Sequence, residues 1–100
     1  MRLERWQGAG PPDERDLLAR LRAEGFDGYV WHDPPGAVYG DHAHDDQEIR
    51  WIVQGTLTIS FADGTEVMLG PGDRLHVPAG AVHRALAGPE GARYVCAVAP

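Results

Sequence analysis

Short alternating segments separated by turn residues dominate the chain from residue 26 onward. Apolar and polar residues alternate there with a period of two, which places the apolar side chains on one face of a strand. The 13 Gly and 8 Pro residues fall mainly between these segments, where they favour tight turns. Many short strands joined by turns are typical of a small closed barrel or jelly roll. A chain of 100 residues has room for one such domain and one core.

The alternation predicts eight or nine short strands, and one helix precedes them. The strands are expected at 28–31, 37–41, 48–53, 56–61, 65–69, 74–77, 83–87 and 92–98. A helix is expected to begin at Pro11-Pro12-Asp13 and to end at Gly25, with a stripe of leucines that would cover part of a sheet. We therefore predict an all-β fold with one short N-terminal helix. The chain is expected to form a single domain over 1–100, with a strand and the helix in 1–25 and the barrel in 26–99.

Charge and composition argue against several classes of partner. Nine Arg and no Lys against 15 acidic residues give a net charge of −6 with neutral histidines. Binding to nucleic acid needs a basic surface, so we expect no nucleic-acid partner. No apolar run approaches the roughly 20 residues of a membrane span, and the N-terminus lacks the apolar stretch of a signal peptide. We therefore predict a cytoplasmic protein with no membrane partner. The single cysteine, Cys96, is expected to be a small buried apolar residue.

Three histidines and one glutamate share a pattern that is typical of a metal site. His42 and His44 lie two residues apart, so their imidazoles leave the same face of an extended strand. Glu48 has the same parity, and the rigid turn at 78–80 could direct His83 toward the same place. Neutral imidazoles with one carboxylate suit one divalent transition metal such as Fe, Mn, Ni, Co or Zn. The alternative is a set of surface histidines beside a solvated acid.

The same residues fall into two spaced motifs that resemble those of the cupin superfamily. The first motif, G-x5-H-x-H-x3-E-x6-G, matches from Gly36 to Gly55. The second, G-x5-P-x-G-x2-H-x3-N, matches from Gly72 through His83, with Ala87 in place of the final Asn. The resemblance implies a cupin barrel, which is a jelly roll also described as a double-stranded β-helix. It implies that the metal ligands are His42, His44, Glu48 and His83.

The family resemblance implies a metal site but does not specify the reaction, because cupins include dioxygenases, isomerases, decarboxylases, storage proteins and sensor domains. The stretch from His42 to Ile52 is similar to the core of the considerably longer acireductone dioxygenases, in which an Arg follows the metal-binding Glu by two residues, as Arg50 does here. We therefore predict a metal-dependent, dioxygenase-like enzyme that acts on an anionic or enolisable small molecule. The alternatives are a metal-containing module that binds or senses a small molecule, and a metal-dependent isomerase.

Arg50 is the candidate catalytic residue. It shares the parity of Glu48, so it should point into the barrel, where an unpaired charge is costly. There it could clamp a substrate carboxylate or enediolate through bidentate hydrogen bonds. The alternatives are an internal ion pair with Glu66 or Asp41, and exposure to solvent if a bulge shifts the register of the strand.

Two apolar faces predict a homodimer. We expect that one core of this size cannot fill both of them. The faces consist of Ile49, Trp51 and Val53, and of Leu57, Ile59 and Phe61. An N-terminal segment, Arg2–Trp6, is expected to reach the partner's sheet, as is common in cupins.

Four other polar or aromatic residues have weaker expectations. His76 is expected to be a partly exposed strand residue, with a role in the pocket as the alternative. Tyr29 and Trp31 are expected in the core or at an interface. Trp51 is expected on the face opposite the metal, in packing between sheets or subunits.

Overall fold

The computed structural model describes residues 1–98, and it contains one helix and seven strands. In chain order these are β1 (Arg2–Glu4), α1 (Glu14–Ala23), β2 (Tyr29–Asp33), β3 (Val38–His42), β4 (Glu48–Phe61), β5 (Glu66–Leu69), β6 (Arg74–Val77) and β7 (His83–Val98). The predicted all-β fold with one short helix is confirmed. Residue 99, the last of the predicted barrel, lies outside the described residues. With 10 residues, α1 is too short to cross a membrane.

Two long antiparallel strands, β4 and β7, form the backbone of the sheet. The strand order is β1-β6-β4-β7-β2, while β3 pairs with β7 and β5 pairs with β4. One half of β7 lies beside β2 and the other half beside β3. Each long strand therefore belongs to both walls of the barrel, and each replaces two of the shorter strands predicted from the sequence.

Glycines explain why β4 and β7 continue where turns were expected. Gly55 has φ +79°, and a Cβ added there would lie 2.1 Å from the carbonyl oxygen of Gly91. Gly91 has φ +80°, and its own added Cβ would lie 2.6 Å from the carbonyl oxygen of Asp33. Only residues without a side chain permit this approach of backbones at left-handed φ values. The pairing register shifts on both sides of Gly55, so β4 bends here and remains one strand.

Helix α1 covers the outer face of one wall of the barrel. Its N-cap is Asp13, whose side chain accepts a hydrogen bond from the backbone N–H of Asp16, so the predicted start is confirmed. Leu17 and Leu21 are fully buried, and Gly25 follows the helix end. The leucines pack with Ile49, Trp51, Val53, Val95 and Ala97.

The apolar faces that predicted a homodimer are filled within this chain. Helix α1 covers the face of Ile49, Trp51 and Val53, while Leu57 and Ile59 belong to the core inside the barrel. The argument for a dimer from unfilled faces is therefore wrong, because the helix contributes two fully buried leucines to the second core.

The N-terminal segment is used by the chain's own sheet. Strand β1 pairs antiparallel with β6, with Leu3 opposite Leu75. Beyond β1, the Asp73 carboxylate accepts hydrogen bonds from the backbone N–H of Trp6 at 3.1 Å and from the Arg5 guanidinium at 2.8 Å. The segment expected to reach a partner's sheet is thus anchored on this chain.

Candidate metal centre

Three histidines meet at one end of the barrel. His42 ends β3 and pairs across the sheet with His83, which begins β7, and His44 follows two residues after His42. Each of the three offers a ring nitrogen, and these nitrogens all lie within 4.8 Å of one another. The residues come from two separate parts of the chain, so it is the antiparallel pairing of β3 with β7 that brings them together.

Each imidazole is held through its Nδ1 atom. His42 Nδ1 lies 2.6 Å from the carbonyl oxygen of Gly40, and His83 Nδ1 lies 2.8 Å from that of Ala81. A carbonyl oxygen only accepts hydrogen bonds, so in both rings Nδ1 carries a proton, and in the neutral imidazole Nε2 then keeps its lone pair. His44 Nδ1 lies 2.9 Å from the Glu48 carboxylate and follows the same rule.

The free Nε2 atoms fit a divalent cation. Among residues 1–98, His44 Nε2 is the buried side-chain polar atom that has no hydrogen-bond partner. A buried lone pair without a donor is costly, and a metal ion would satisfy it. Burial lowers the pKa of His83, which keeps this imidazole neutral, as a metal ligand must be.

Glu48 lies beside the three histidines but is turned toward two other side chains. It is buried at the start of β4. One carboxylate oxygen faces His44 Nδ1, and the other accepts a hydrogen bond from the Arg50 guanidinium at 2.6 Å. The structure thus places Glu48 next to the three imidazoles. The ligand atoms that lie within 4.8 Å of one another are the ring nitrogens of the histidines.

Arg50 faces the barrel interior, in an internal ion pair. Its partner is Glu48, and not Glu66 or Asp41, the two acids considered from the sequence. No bulge shifts β4 between Glu48 and Ile52, so Arg50 keeps the inward face. Burial by itself lowers the pKa of Arg50. The electrostatic interaction with Cys96 and the hydrogen bond to Glu48 raise it by more, so the pKa of Arg50 is raised on balance. The guanidinium therefore remains a cation inside the barrel.

A cavity of about 200 Å³ joins Arg50 to the three histidines. At about 30 Å³ per molecule of liquid water, this volume corresponds to six or seven waters. It suits a small organic molecule better than a drug-sized one. The remaining wall is mainly aromatic and apolar, with Tyr29, Trp31, Tyr39, Leu57, Ile59, Val77, Ala85, Tyr94 and Cys96.

A buried carboxylate, Asp33, organises the aromatic wall. Trp31 Nε1 donates to it at 3.0 Å, Tyr94 OH donates at 2.7 Å, and Tyr39 OH also donates. The hydrogen bond to Asp33 raises the pKa of Tyr39, and burial together with the same carboxylate raises the pKa of Tyr94. Both phenols are therefore neutral donors at physiological pH.

The sequence analysis missed Asp33, Tyr39 and Tyr94. Tyr29 and Trp31, expected in a core or interface, line the cavity instead. Alternation along β2 was the available signal, since Asp33 has the same parity as these two aromatic residues. Tyr94 carried no such signal, because it joins the group only through its pairing with Trp31 across two strands.

Three further expectations have clear outcomes. His76 is buried on the face of β6 away from the cavity, beside Glu4 and Arg74, so the expectation of partial exposure is wrong. Trp51 packs against α1 and donates through Nε1 to the Gly72 carbonyl oxygen at 2.9 Å. Cys96 is buried as expected, and it also lines the cavity.

Comparison with known proteins decides the family. The sequence model of the cupin domain matches residues 29–98. This chain belongs to the cupin family. The match spans β2 to β7 and includes every residue of the two sequence motifs.

Relatives of this cupin share part of its length. It is 43% identical over 51 residues to quercetin 2,3-dioxygenase of Bacillus subtilis. The matched region covers 50% of this chain and 15% of that protein. It is 31% identical over 62 residues to an acireductone dioxygenase of Puccinia graminis. This matched region covers 57% of this chain and 34% of that protein. The chain therefore spans about a third or less of the length of these relatives.

Solved structures show the same fold. A DUF861 family protein of Thermotoga maritima superimposes with a TM-score of 0.69 at 19% identity, over 98% of both chains. The DMSP lyase DddQ of Ruegeria pomeroyi superimposes with a TM-score of 0.68 at 25% identity, over 75% of this chain and 38% of the lyase. The predicted cupin barrel is thus confirmed over the whole described chain.

Proposed function

We propose that this cupin is a metal-dependent enzyme of the dioxygenase type that acts on a small anionic or enolisable molecule. The ligands of one divalent transition metal would be His42, His44, His83 and Glu48. The observation that carries the proposal is the convergence of three imidazoles, each with Nδ1 engaged, in a cavity that also holds the largely buried Arg50 guanidinium. The partial matches to two dioxygenases support the same reaction class.

Each group in the cavity has a defined task in this proposal. A bound divalent ion would supply a Lewis acid and, when redox active, a site through which electrons pass from the substrate to oxygen. Arg50 would hold the anionic end of the substrate through charge-assisted hydrogen bonds. The carbonyl oxygens of Gly40 and Ala81 would keep His42 and His83 in the tautomer that binds metal. The aromatic wall would exclude water around the substrate.

Elemental analysis tests the metal ligands directly. We expect the wild-type protein to bind one divalent ion, and the single variants His42→Ala, His44→Ala and His83→Ala to lose at least tenfold in affinity. Exposed His32 on β2 offers a matched control, and His32→Ala should leave the affinity unchanged. Variants that retain stoichiometric metal would show that the site is misassigned.

Oxygen uptake tests the reaction class. The protein is reconstituted with Fe(II) under anaerobic conditions and then assayed against 1,2-diketones, enediols, thiols and catechols. We expect uptake with at least one substrate and its loss in Arg50→Ala. If no substrate drives uptake, and none is isomerised with Mn, Ni or Zn while small ligands still bind, a binding module is the correct function.

We also propose a homodimer, on a surface different from the one that the sequence suggested. Three exposed apolar side chains lie in one row across the outer face of β3, β7, β4 and β5. Val38 is 74% exposed, Leu86 48% and Met68 63%. The register places Val38 opposite Leu86, and places Thr58 opposite both Leu86 and Met68. Such a row is a docking surface for another apolar sheet.

A second copy of this chain would complement the neighbouring row by charge. Ser60 lies between Arg84 on β7 and Glu66 on β5. A two-fold axis near Ser60 would bring Arg84 of one copy over Glu66 of the other. Light scattering should give twice 10.9 kDa at micromolar concentration. Leu86→Arg should give the monomer mass. The control Ala23→Arg, on the exposed side of α1, should keep the dimer mass. A wild-type mass near 10.9 kDa would contradict the proposal.

A further inference from the structure

Arg50 lines the cavity and forms an ion pair with the buried Glu48 beside it. Among residues 1–98, Glu48 is the carboxylate within 4.0 Å of the Arg50 guanidinium. The side chain of Arg50 is 16% exposed and that of Glu48 is 9% exposed, so water screens the pair poorly. The cavity also contains the thiol of Cys96, the phenols of Tyr29 and Tyr94, and the three imidazoles, and none of these groups is a carboxylate. Glu48 alone therefore compensates the charge of Arg50.

The same carboxylate lies between the cation and the imidazoles. Its Oε1 accepts from Arg50 at 2.6 Å, and its Oε2 faces His44 Nδ1 at 2.9 Å. A carboxylate that turns toward a metal ion held by the histidines would divide its negative charge between that ion and Arg50. A buried guanidinium that loses its partner is strongly unfavourable. Metal binding would therefore create a demand for another anion at Arg50.

Charge balance leads to the same conclusion. Glu48 and Arg50 cancel each other, and the Asp33 carboxylate behind the aromatic wall adds one negative charge, so a divalent ion still leaves an excess of one positive charge. Of the guanidinium's five N–H donors, one is given to Glu48 and one to the carbonyl oxygen of Ile49. The Arg50 side chain lines the cavity that also contains the histidines. A small carboxylate fits there in charge, in size and in hydrogen bonding.

We propose that Glu48 and Arg50 couple the binding of the metal to the binding of a small carboxylate in this cavity. This rests on the proposed metal site and adds to it a thermodynamic rule: each ligand strengthens the other by the same factor. Arg50 then attracts a substrate anion strongly only when the metal has taken up part of the charge of Glu48. In the metal-free protein, Glu48 already compensates the charge of Arg50, so a second anion gains little.

Cobalt(II) titration in the presence of acetate tests the coupling. The absorbance of bound cobalt gives its Kd with acetate and with the neutral isostere acetamide, at equal ionic strength. We expect acetate to tighten cobalt binding about tenfold, within the 5–150-fold range of coupled sites, and acetamide to leave it unchanged. In Arg50→Gln, cobalt should still bind and the acetate effect should disappear. Arg93→Gln, which removes a surface cation paired with Glu14, should keep the full effect.

A second variant separates the two halves of the mechanism. In metal-free Glu48→Gln, Arg50 has lost its carboxylate, so acetate alone should raise the melting temperature, whereas it should not do so in the metal-free wild-type protein. An acetate effect of less than twofold in the wild type would overturn the inference, as would an equal effect in Arg50→Gln, where acetate must act on the cobalt itself. Failure of the wild type to bind cobalt in either buffer would instead refute the proposed metal site.

Discussion

Removal of the Asp33 carboxylate is expected to destabilise the protein and loosen the aromatic wall of the cavity. Asp33 is buried and accepts three hydrogen bonds, from Trp31, Tyr39 and Tyr94. In Asp33→Ala these three donors lose their acceptor at once. Two of them can turn to water, because Trp31 is 46% exposed and Tyr39 is partly exposed. The Tyr94 hydroxyl cannot, since Tyr94 is only 5% exposed.

The magnitude follows from these three contacts. A hydrogen bond to a charged group contributes about 1.5–3 kcal/mol, and a buried donor left without a partner costs about 1–3 kcal/mol. The desolvation of the Asp33 carboxylate, which the variant no longer requires, offsets part of this. We expect Asp33→Ala to lower the free energy of unfolding by about 2–4 kcal/mol. Tyr94→Phe, which removes one donor and leaves two, should cost about 1–2 kcal/mol.

Urea denaturation followed by circular dichroism measures both variants and their combination. With an m value of about 1–1.5 kcal/mol/M for a small domain, Asp33→Ala should lower the transition midpoint by about 2 M. In the double variant no unpaired donor remains at Tyr94. The double loss should therefore be about 1–2 kcal/mol smaller than the sum of the single losses.

A matched exposed residue serves as the control. Asp27 is exposed, and Asp27→Ala should change the free energy of unfolding by no more than about 0.5 kcal/mol. If the losses from Asp33→Ala and Tyr94→Phe add within about 0.5 kcal/mol, the two residues act independently. The account of Asp33 as the residue that holds the aromatic wall would then be wrong.

Three further outcomes are expected. Burial opposes the charge of Asp73, but hydrogen bonds from Gly70, Trp6 and Arg5 outweigh it and lower its pKa. Its stabilising contribution should be complete above the unfolded pKa of about 3.9 and be lost as the pH falls through the lower folded value, so the pH dependence of unfolding should flatten in Asp73→Asn. Leu21→Ala should lower the free energy of unfolding by about 2–5 kcal/mol, because a fully buried side chain leaves a cavity under α1, and a loss below about 1 kcal/mol would contradict that packing. A divalent metal at 100 times its Kd should raise the free energy of unfolding by about 2.7 kcal/mol in calorimetry, and a chelator should reverse this; no shift would count against a site in the folded state.

Local patterns in the sequence were sufficient for the helix, for most strand positions and for part of the site. The period of two placed Arg50 and Glu48 on the inner face and Trp51 on the outer one, and both placements follow from strand geometry alone. The helix start at Asp13 depended on a side chain that caps its own backbone. Parity and the spacing of the motifs selected His42, His44, Glu48 and His83, and the structure brings the ring nitrogens of the three histidines within 4.8 Å of one another.

Other features required contacts between residues that are distant in sequence. The turn residues around Gly55 and Gly91 have the same composition as residues that end strands, and only their mutual approach shows that they bend continuous strands. The partner of Arg50 could not be chosen from parity, since Glu66 and Asp41 were also available in the predicted strands. The face on which His76 is buried depended on β1, which supplies Glu4.

The amino-acid sequence by itself determined which residues could bind a metal and which faces of the strands are apolar. These properties depend on side-chain chemistry and on periodicity within single segments. The tertiary structure decided where the apolar faces are covered, which carboxylate faces Arg50, and that Asp33 gathers Trp31, Tyr39 and Tyr94 around one cavity. Those properties depend on the pairing of β7 with β2, β3 and β4, which joins positions up to tens of residues apart. No periodicity within one segment encodes such a pairing, because its free energy comes from the packing of the whole barrel.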